Sequence, residues 1–100
     1  MKLSETVAMM NSTDYKERFR GEYFQLTNRV EGLSNMLVKY RKGTLNFKPK
    51  CTQKLLDAQL NSMIIYKTHL EARAKLEDIS LEEVIKPVDP KDPGKTEVLK

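Results

Sequence analysis

Phe19, Tyr23, Leu26, Val30, Leu33, Leu37 and Tyr40 follow one another at alternating spacings of four and three. This heptad period gathers all seven side chains onto one seam of a single long helix. A seam of that length needs a partner helix of similar length to cover it. The chain has 100 residues, enough for one small domain with a thin core, so burial by further copies is a natural supplement.

The boundaries of the helix are legible. Asn11, Ser12, Thr13 and Asp14 cluster as helix-start residues, and Asp14 with Glu17 has the spacing of a capping box. Lys39, Arg41 and Lys42 suit the negative end of the helix dipole, and Gly43 follows as a left-handed C-cap. The helix therefore spans 15–42. Gly21 and Gly32 lie inside it, each costing about 1 kcal/mol relative to alanine. Close backbone packing and a slight kink both account for them.

A loop over 43–51 follows, and Pro49 keeps it from continuing as helix. Leu45 and Phe47 alternate with polar residues, so the loop is expected to tuck them onto the helices. Thr52 then caps a second long helix over 53–77. Its apolar residues include Leu55, Leu56, Leu60, Met63, Ile64, Tyr66, Leu70, Ala72, Ala74 and Leu76, which wrap more than half its circumference. A monomer's surface helix shows a narrower stripe. The excess points to a second buried face supplied by another subunit.

Before the first long helix, residues 1–13 form an arm. Ser4 is placed to cap a short helical turn through Val7, Met9 and Met10. Ser80 and Glu83 repeat the capping-box spacing ahead of a final turn, Leu81 to Ile85. After Lys86, prolines and charges alternate with no hydrophobic face, the composition of a flexible tail over 87–100. The fold expected is all-α: one domain over 1–86, an antiparallel hairpin of two long helices with a short N-terminal helical arm, assembling into a homo-oligomer.

Charged residues make up 32% and the formal net charge is +4. That balance favours anionic partners without choosing among nucleic acid, nucleotide and phosphate, and solvated surface lysines explain it equally well. Cys51 is the only cysteine, so no internal disulfide forms and a reducing compartment is the default. The N-terminus lacks the pattern of a secretion signal, and no run approaches the roughly 20 apolar residues of a membrane span. A soluble intracellular protein is expected.

Catalysis is poorly supported. His69 is the only histidine, and on a helix a lone histidine is more often a polar surface residue than a ligand. Cys51 has no nearby base in the sequence, and a packed, inert thiol is the simpler reading. There is no phosphate-cradling glycine loop, no metal-ligand spacing and no implied cofactor.

Anion binding is better supported. Tyr15, Lys16, Arg18 and Arg20 crowd the start of the first long helix, where free backbone N–H groups and the dipole favour negative charge. Arginine offers a bidentate fork for phosphate, and tyrosine a flat face for a base. The plainer alternative is a hydrophobic staple at Tyr15 with solvated cations around it. Arg29 flanks the heptad seam, and Arg73 sits between the small residues Ala72 and Ala74. A charge so placed needs either a ligand or an ion-pair partner, such as Glu71 or Glu77.

Tyr15, Arg18, Glu22, Leu26, Arg29, Leu33 and Leu37, followed by Gln59, Met63, Tyr66, Leu70, Glu71 and Arg73, form an ordered pattern that resembles the phage anti-CBASS protein 2 family. The likeness runs from about Tyr15 to Leu81. It implies a compact hexamer that sequesters cyclic dinucleotides between protomers and cyclic trinucleotides at separate sites, without hydrolysis, in the cytoplasm of an infected bacterial host. Sequestration of that kind starves CBASS immunity of its messenger. By position, Tyr15 and Arg29 would contact the dinucleotide and Arg73 the phosphates of the trinucleotide. The longer arm, the longer central loop and the Pro-rich tail depart from that family. The resemblance implies no membrane partner.

Two other classes compete with a non-enzymatic sponge. One is a helical adaptor whose seam binds another protein and no nucleotide. The other is a small DNA-binding regulator, against which Glu17, Glu22 and Glu31 interrupt any phosphate-tracking stripe.

Overall fold

Asp14 ends the N-terminal arm by turning its carboxylate Oδ1 onto the Lys16 N–H at 3.0 Å, and from there the chain runs as one helix for 28 residues. The computed structural model describes residues 1–82 and contains three helices there: α1, Leu3–Met10; α2, Tyr15–Lys42; α3, Gln53–Leu76. The capping box at the start of α2 is not reciprocal. Ser12 Oγ accepts the Asp14 N–H at 3.0 Å, and Glu17 turns instead towards Arg20. At the far end, Gly43 adopts φ 71°, which releases its own N–H to the Tyr40 carbonyl and the Thr44 N–H to the Lys39 carbonyl. Thr52 caps α3 by accepting the Leu55 N–H at 3.1 Å.

The two long helices pack as a hairpin. Tyr15 meets Glu77, Tyr23 meets Glu71 and Arg41 meets Asp57, so residue numbers fall on one helix as they rise on the other. The heptad seam of α2 faces α3: Phe19, Leu26 and Leu37 are buried, and Tyr23, Val30, Leu33 and Tyr40 half-buried. From α3, Leu56, Leu70 and Ala74 are buried against it. The central cluster is Phe19, Leu26, Leu70, Ala74 and Ile79, with Tyr23, Val30, Met63 and Leu81 packed around it.

A short arm completes the core. α1 runs antiparallel to α2, with Met1 beside Asn28, Thr6 beside Gln25, and Met9 and Met10 beside Gly21. Thr6 is fully buried, donating to the Leu3 carbonyl at 2.6 Å and accepting from Gln25 Nε2 at 3.0 Å. Gly21 exists for this contact, since a Cβ there would lie 2.9 Å from Met10 Sδ and 3.0 Å from Met9 Cβ. Gly32 has no such neighbour. Ser4 does not cap α1: Lys2 stands at the N-cap without a side-chain hydrogen bond, and Ser4 lies inside the helix.

One predicted detail comes out differently. Phe47 is not tucked onto the helices but 55% exposed, whereas Leu45 is half-buried. The chain also turns back just after α3, at Asp78 with φ 55°. The Ile79 N–H then reaches the Ala74 carbonyl at 2.9 Å, closing the helix while Ile79 drops into the core beside Ala74. Arg20 fastens the following segment, donating to the Ser80 and Glu82 carbonyls at 3.2 and 3.1 Å. The expected turn at Leu81 to Ile85 extends past the described residues, and the tail after Lys86 lies outside them.

Candidate functional site

Tyr15 opens α2 and Arg73 lies in the last turn of α3, so the antiparallel hairpin brings the two ends together. Arg73 NH2 donates to the Tyr15 hydroxyl at 2.6 Å. The same hydroxyl donates to Glu77 Oε1 at 2.8 Å, and Arg73 Nε donates to Glu77 Oε2 at 3.2 Å. Three side chains therefore close a ring of hydrogen bonds. Glu77 caps α3, its N–H bonded to the Arg73 carbonyl at 2.9 Å, and Lys16 Nζ lies 3.4 Å from the Asp78 carbonyl on the same rim.

Phe19 forms the floor. Its ring lies under the Arg73 guanidinium at 5.0 Å from the centroid, and Tyr15 meets it edge-on at 6.3 Å. A guanidinium over an aromatic face is held at a fixed height and orientation, and its remaining N–H groups stay available. Both the Arg73 side chain and Tyr15 are about half exposed, so the aromatic face and the cation are open together. The bond donated to Glu77 raises the Tyr15 hydroxyl above its ordinary pKa, with loss of solvent adding to it, so this tyrosine stays a neutral donor.

The other two candidates stand apart. Arg18 is next to the cluster on α2 but spends NH1 on the Ser12 carbonyl at 2.9 Å, closing the turn before the helix. Arg29 is exposed, and about 21 Å from Tyr15 along the helix axis at ~1.5 Å per residue. It has no hydrogen bond or ion pair among the described residues. Arg20 is structural: it lies over Phe24 at 5.6 Å and grips the chain beyond α3. Its Nε is buried without a hydrogen bond, with Glu17 at 3.5 Å as the nearest charge.

Sequence reasoning assigned Phe19 to the seam alone and gave it no part in the site. The signal was available, because Phe19 is one turn after Tyr15 and shares its face. Glu77 stood out only as a possible ion-pair partner, and its bond to Tyr15 depends on the register of the two long helices, which no local spacing announces. His69 and Cys51 are both exposed. His69 lies one turn before Arg73 on α3 but forms no hydrogen bond with the cluster.

A family model, Sequestin, matches residues 13–76, which takes in Tyr15, Phe19 and Arg73. This corrects the resemblance to the phage anti-CBASS protein 2 family. Heptad-spaced leucines, tyrosines and arginines recur on long helices of unrelated hairpins, so the pattern that suggested that family was too general to separate it from another. No curated protein and no solved structure matches the chain.

Proposed function

Because this chain belongs to the Sequestin family, named for sequestration, we propose that it binds a phosphate-bearing nucleotide at Tyr15, Phe19 and Arg73 and holds it without cleaving it. The observation that carries this reading is the Arg73 guanidinium lying over Phe19 with the exposed Tyr15 ring beside it. A base stacks on Tyr15, and the arginine fork takes a phosphate by charge-assisted hydrogen bonds. Lys16 and Arg18 add positive charge at the N-terminal end of α2, where the helix dipole has the same sign.

Glu77 sets the selectivity. It already occupies one side of the Arg73 fork, so an incoming anion must displace it or use the other side. Free phosphate competes poorly on those terms, whereas a nucleotide adds stacking energy. The cluster suits retention rather than turnover. Its tyrosine is held as a neutral donor, and its carboxylate is engaged by both the tyrosine hydroxyl and the Arg73 guanidinium.

The narrower reading takes the ligand to be a cyclic di- or trinucleotide messenger and the consequence to be inhibition of CBASS immunity in an infected bacterium. Calorimetry with cyclic dinucleotides, cyclic trinucleotides and linear mono- and dinucleotides tests both levels. Micromolar binding of any of them that disappears in Arg73→Ala supports the site. Recovery of the intact ligand after denaturation supports storage, and a cleaved product overturns it. Binding confined to linear nucleotides sinks the CBASS reading alone, and no binding by any arm leaves the helical adaptor in its place.

We also read the protein as a homo-oligomer, for which a hexamer is the order to test. The outward face of α3 carries apolar side chains that nothing covers within the protomer. Leu55, Ala58, Ser62, Ile65, His69, Ala72 and Leu76 are all exposed and alternate at spacings of three and four, a second heptad seam nearly opposite the buried one. Antiparallel pairing of two copies sets Leu55 against the partner's Ala72, Ala58 against the partner's His69 and Ser62 against the partner's Ile65. Each layer then matches a large side chain with a small one, and the seam buries no charge.

A further inference from the structure

At the opposite end of the hairpin, a groove of about 470 Å³ opens between α2 and the loop that follows it. Its volume falls within the range of small-molecule sites. Met36 and Leu45 give it an apolar lining, Asn35, Asn46 and Lys39 bring polar groups, and Phe47 forms a wall. Phe47 also borders a smaller hollow of about 220 Å³ on the side of Tyr40 and Lys48, so its ring stands between two open spaces.

Three features of this groove are left open within the protomer. Phe47 is 55% exposed, although burying such a ring is worth about 1.5–3 kcal/mol. The side chains of Asn35, Asn46 and Lys39 are exposed and make no hydrogen bond or ion pair among the described residues. Gly32 weakens α2 by about 1 kcal/mol, yet nothing lies within 4 Å of where its Cβ would be. The missing side chain therefore leaves space at the groove and serves no helix contact.

We propose that this groove is a second binding site, and that it takes the base of a purine nucleotide. A planar heterocycle stacks on Phe47. A carboxamide presents a donor and an acceptor side by side, the pattern that matches the N6 and N7 edge of adenine, and two carboxamides face this space. Lys39 supplies a cation for the attached phosphate. The site lies about 25 Å along α2 from Tyr15, counting Gly32 as its near end at ~1.5 Å per residue. It therefore neither shares residues with the Arg73 cluster nor depends on the function assigned there.

Nuclear magnetic resonance titration of the full chain with adenosine 5′-monophosphate, adenosine and inorganic phosphate tests this directly. The expected result is movement of the Asn35 and Asn46 side-chain amides and the Phe47 ring with both adenosine compounds, tighter for the monophosphate, and none with phosphate alone. Tyr15 and Arg73 signals report the other site in the same spectra. Gly32→Leu places a side chain in the groove while replacing glycine inside a helix, so it should melt no lower than the parent and bind at least tenfold more weakly. Phe47→Ala should lose a similar factor. The inference is overturned if the groove signals stay still, if phosphate alone moves them, or if Gly32→Leu binds as tightly as the parent. Movement confined to Tyr15 and Arg73 would overturn it too, while leaving the first site standing.

Discussion

The Arg73 guanidinium and the Tyr15 hydroxyl, 58 residues apart in the chain, are joined by a hydrogen bond of 2.6 Å. Their positions suggested separate ligands, Tyr15 for a dinucleotide and Arg73 for a trinucleotide. Contact between them makes one polar surface in the protomer, and the consequences for substitutions differ accordingly.

Substitutions at the two positions should not add. Tyr15→Ala removes the stacking face and should weaken nucleotide binding by about 1–3 kcal/mol, roughly tenfold to a hundredfold. Arg73→Ala should cost a similar amount, and Arg73→Lys should recover part of it, because an ammonium keeps the charge without the fork. The double variant should lose less than the sum, since each residue holds the other in place. Calorimetry on all four proteins measures the coupling, and strict additivity would mean that the two side chains serve different ligands.

Glu77→Gln should bind a phosphate-bearing ligand more tightly. Its carboxylate competes for Arg73 in an exposed, solvent-screened ion pair. Its removal should raise affinity by up to about fivefold. If Arg73 serves only as the structural partner of Glu77, the variant should instead melt earlier with no gain in binding.

Tyr23 should make stability fall in alkali. Its hydroxyl donates to Glu71 Oε2 at 2.7 Å between the long helices, and burial, followed by that bond, pushes its pKa up to about 12. The folded value lies above the unfolded one near 10. The contribution is therefore complete below about pH 10 and is lost as pH rises through about 12. With partial exposure discounted it amounts to roughly 1–2 kcal/mol. Melting curves between pH 9 and pH 12 should fall more steeply for the parent than for Tyr23→Phe, and parallel curves would refute the assignment.

The two helical glycines should respond in opposite directions. Gly32→Ala gains helix propensity in open space and should raise the melting temperature by several degrees, at about 0.5–1 kcal/mol. Gly21→Ala gains the same propensity but drives a methyl group into Met9 and Met10. It should melt below the parent as α1 is displaced. Thermal unfolding followed by circular dichroism gives the order.

Ile65→Asp should dissociate the assembly without unfolding the protomer. Ile65 is exposed on α3, so the charge costs little in one chain and a great deal at a dry interface. Light scattering should give a mass near the protomer's 11.6 kDa. An unchanged mass would mean that a different face joins the copies, and a parent that is itself monomeric would remove the oligomer altogether.

The all-α class, the two long helices and the residues at their caps were determined by the sequence alone. Heptad spacing, Thr52 and Gly43 act within a few residues of the features they specify, so their physics is local. The excess apolar surface of α3 was legible for the same reason: it is a count around one helix. Tertiary structure alone decided which apolar face turns inward and which of Gly21 and Gly32 makes a contact. It also seated Phe19 beneath Arg73. Those outcomes depend on the register between helices, which no local spacing encodes. The left-handed turn at Asp78 is a further case, because an aspartate there occupies a conformation usually given to glycine. Phe47 shows the same limit from the other side. Alternation predicted a tucked ring, but whether a loop side chain reaches a helix depends on the loop's path across it, and that path leaves the ring in the open.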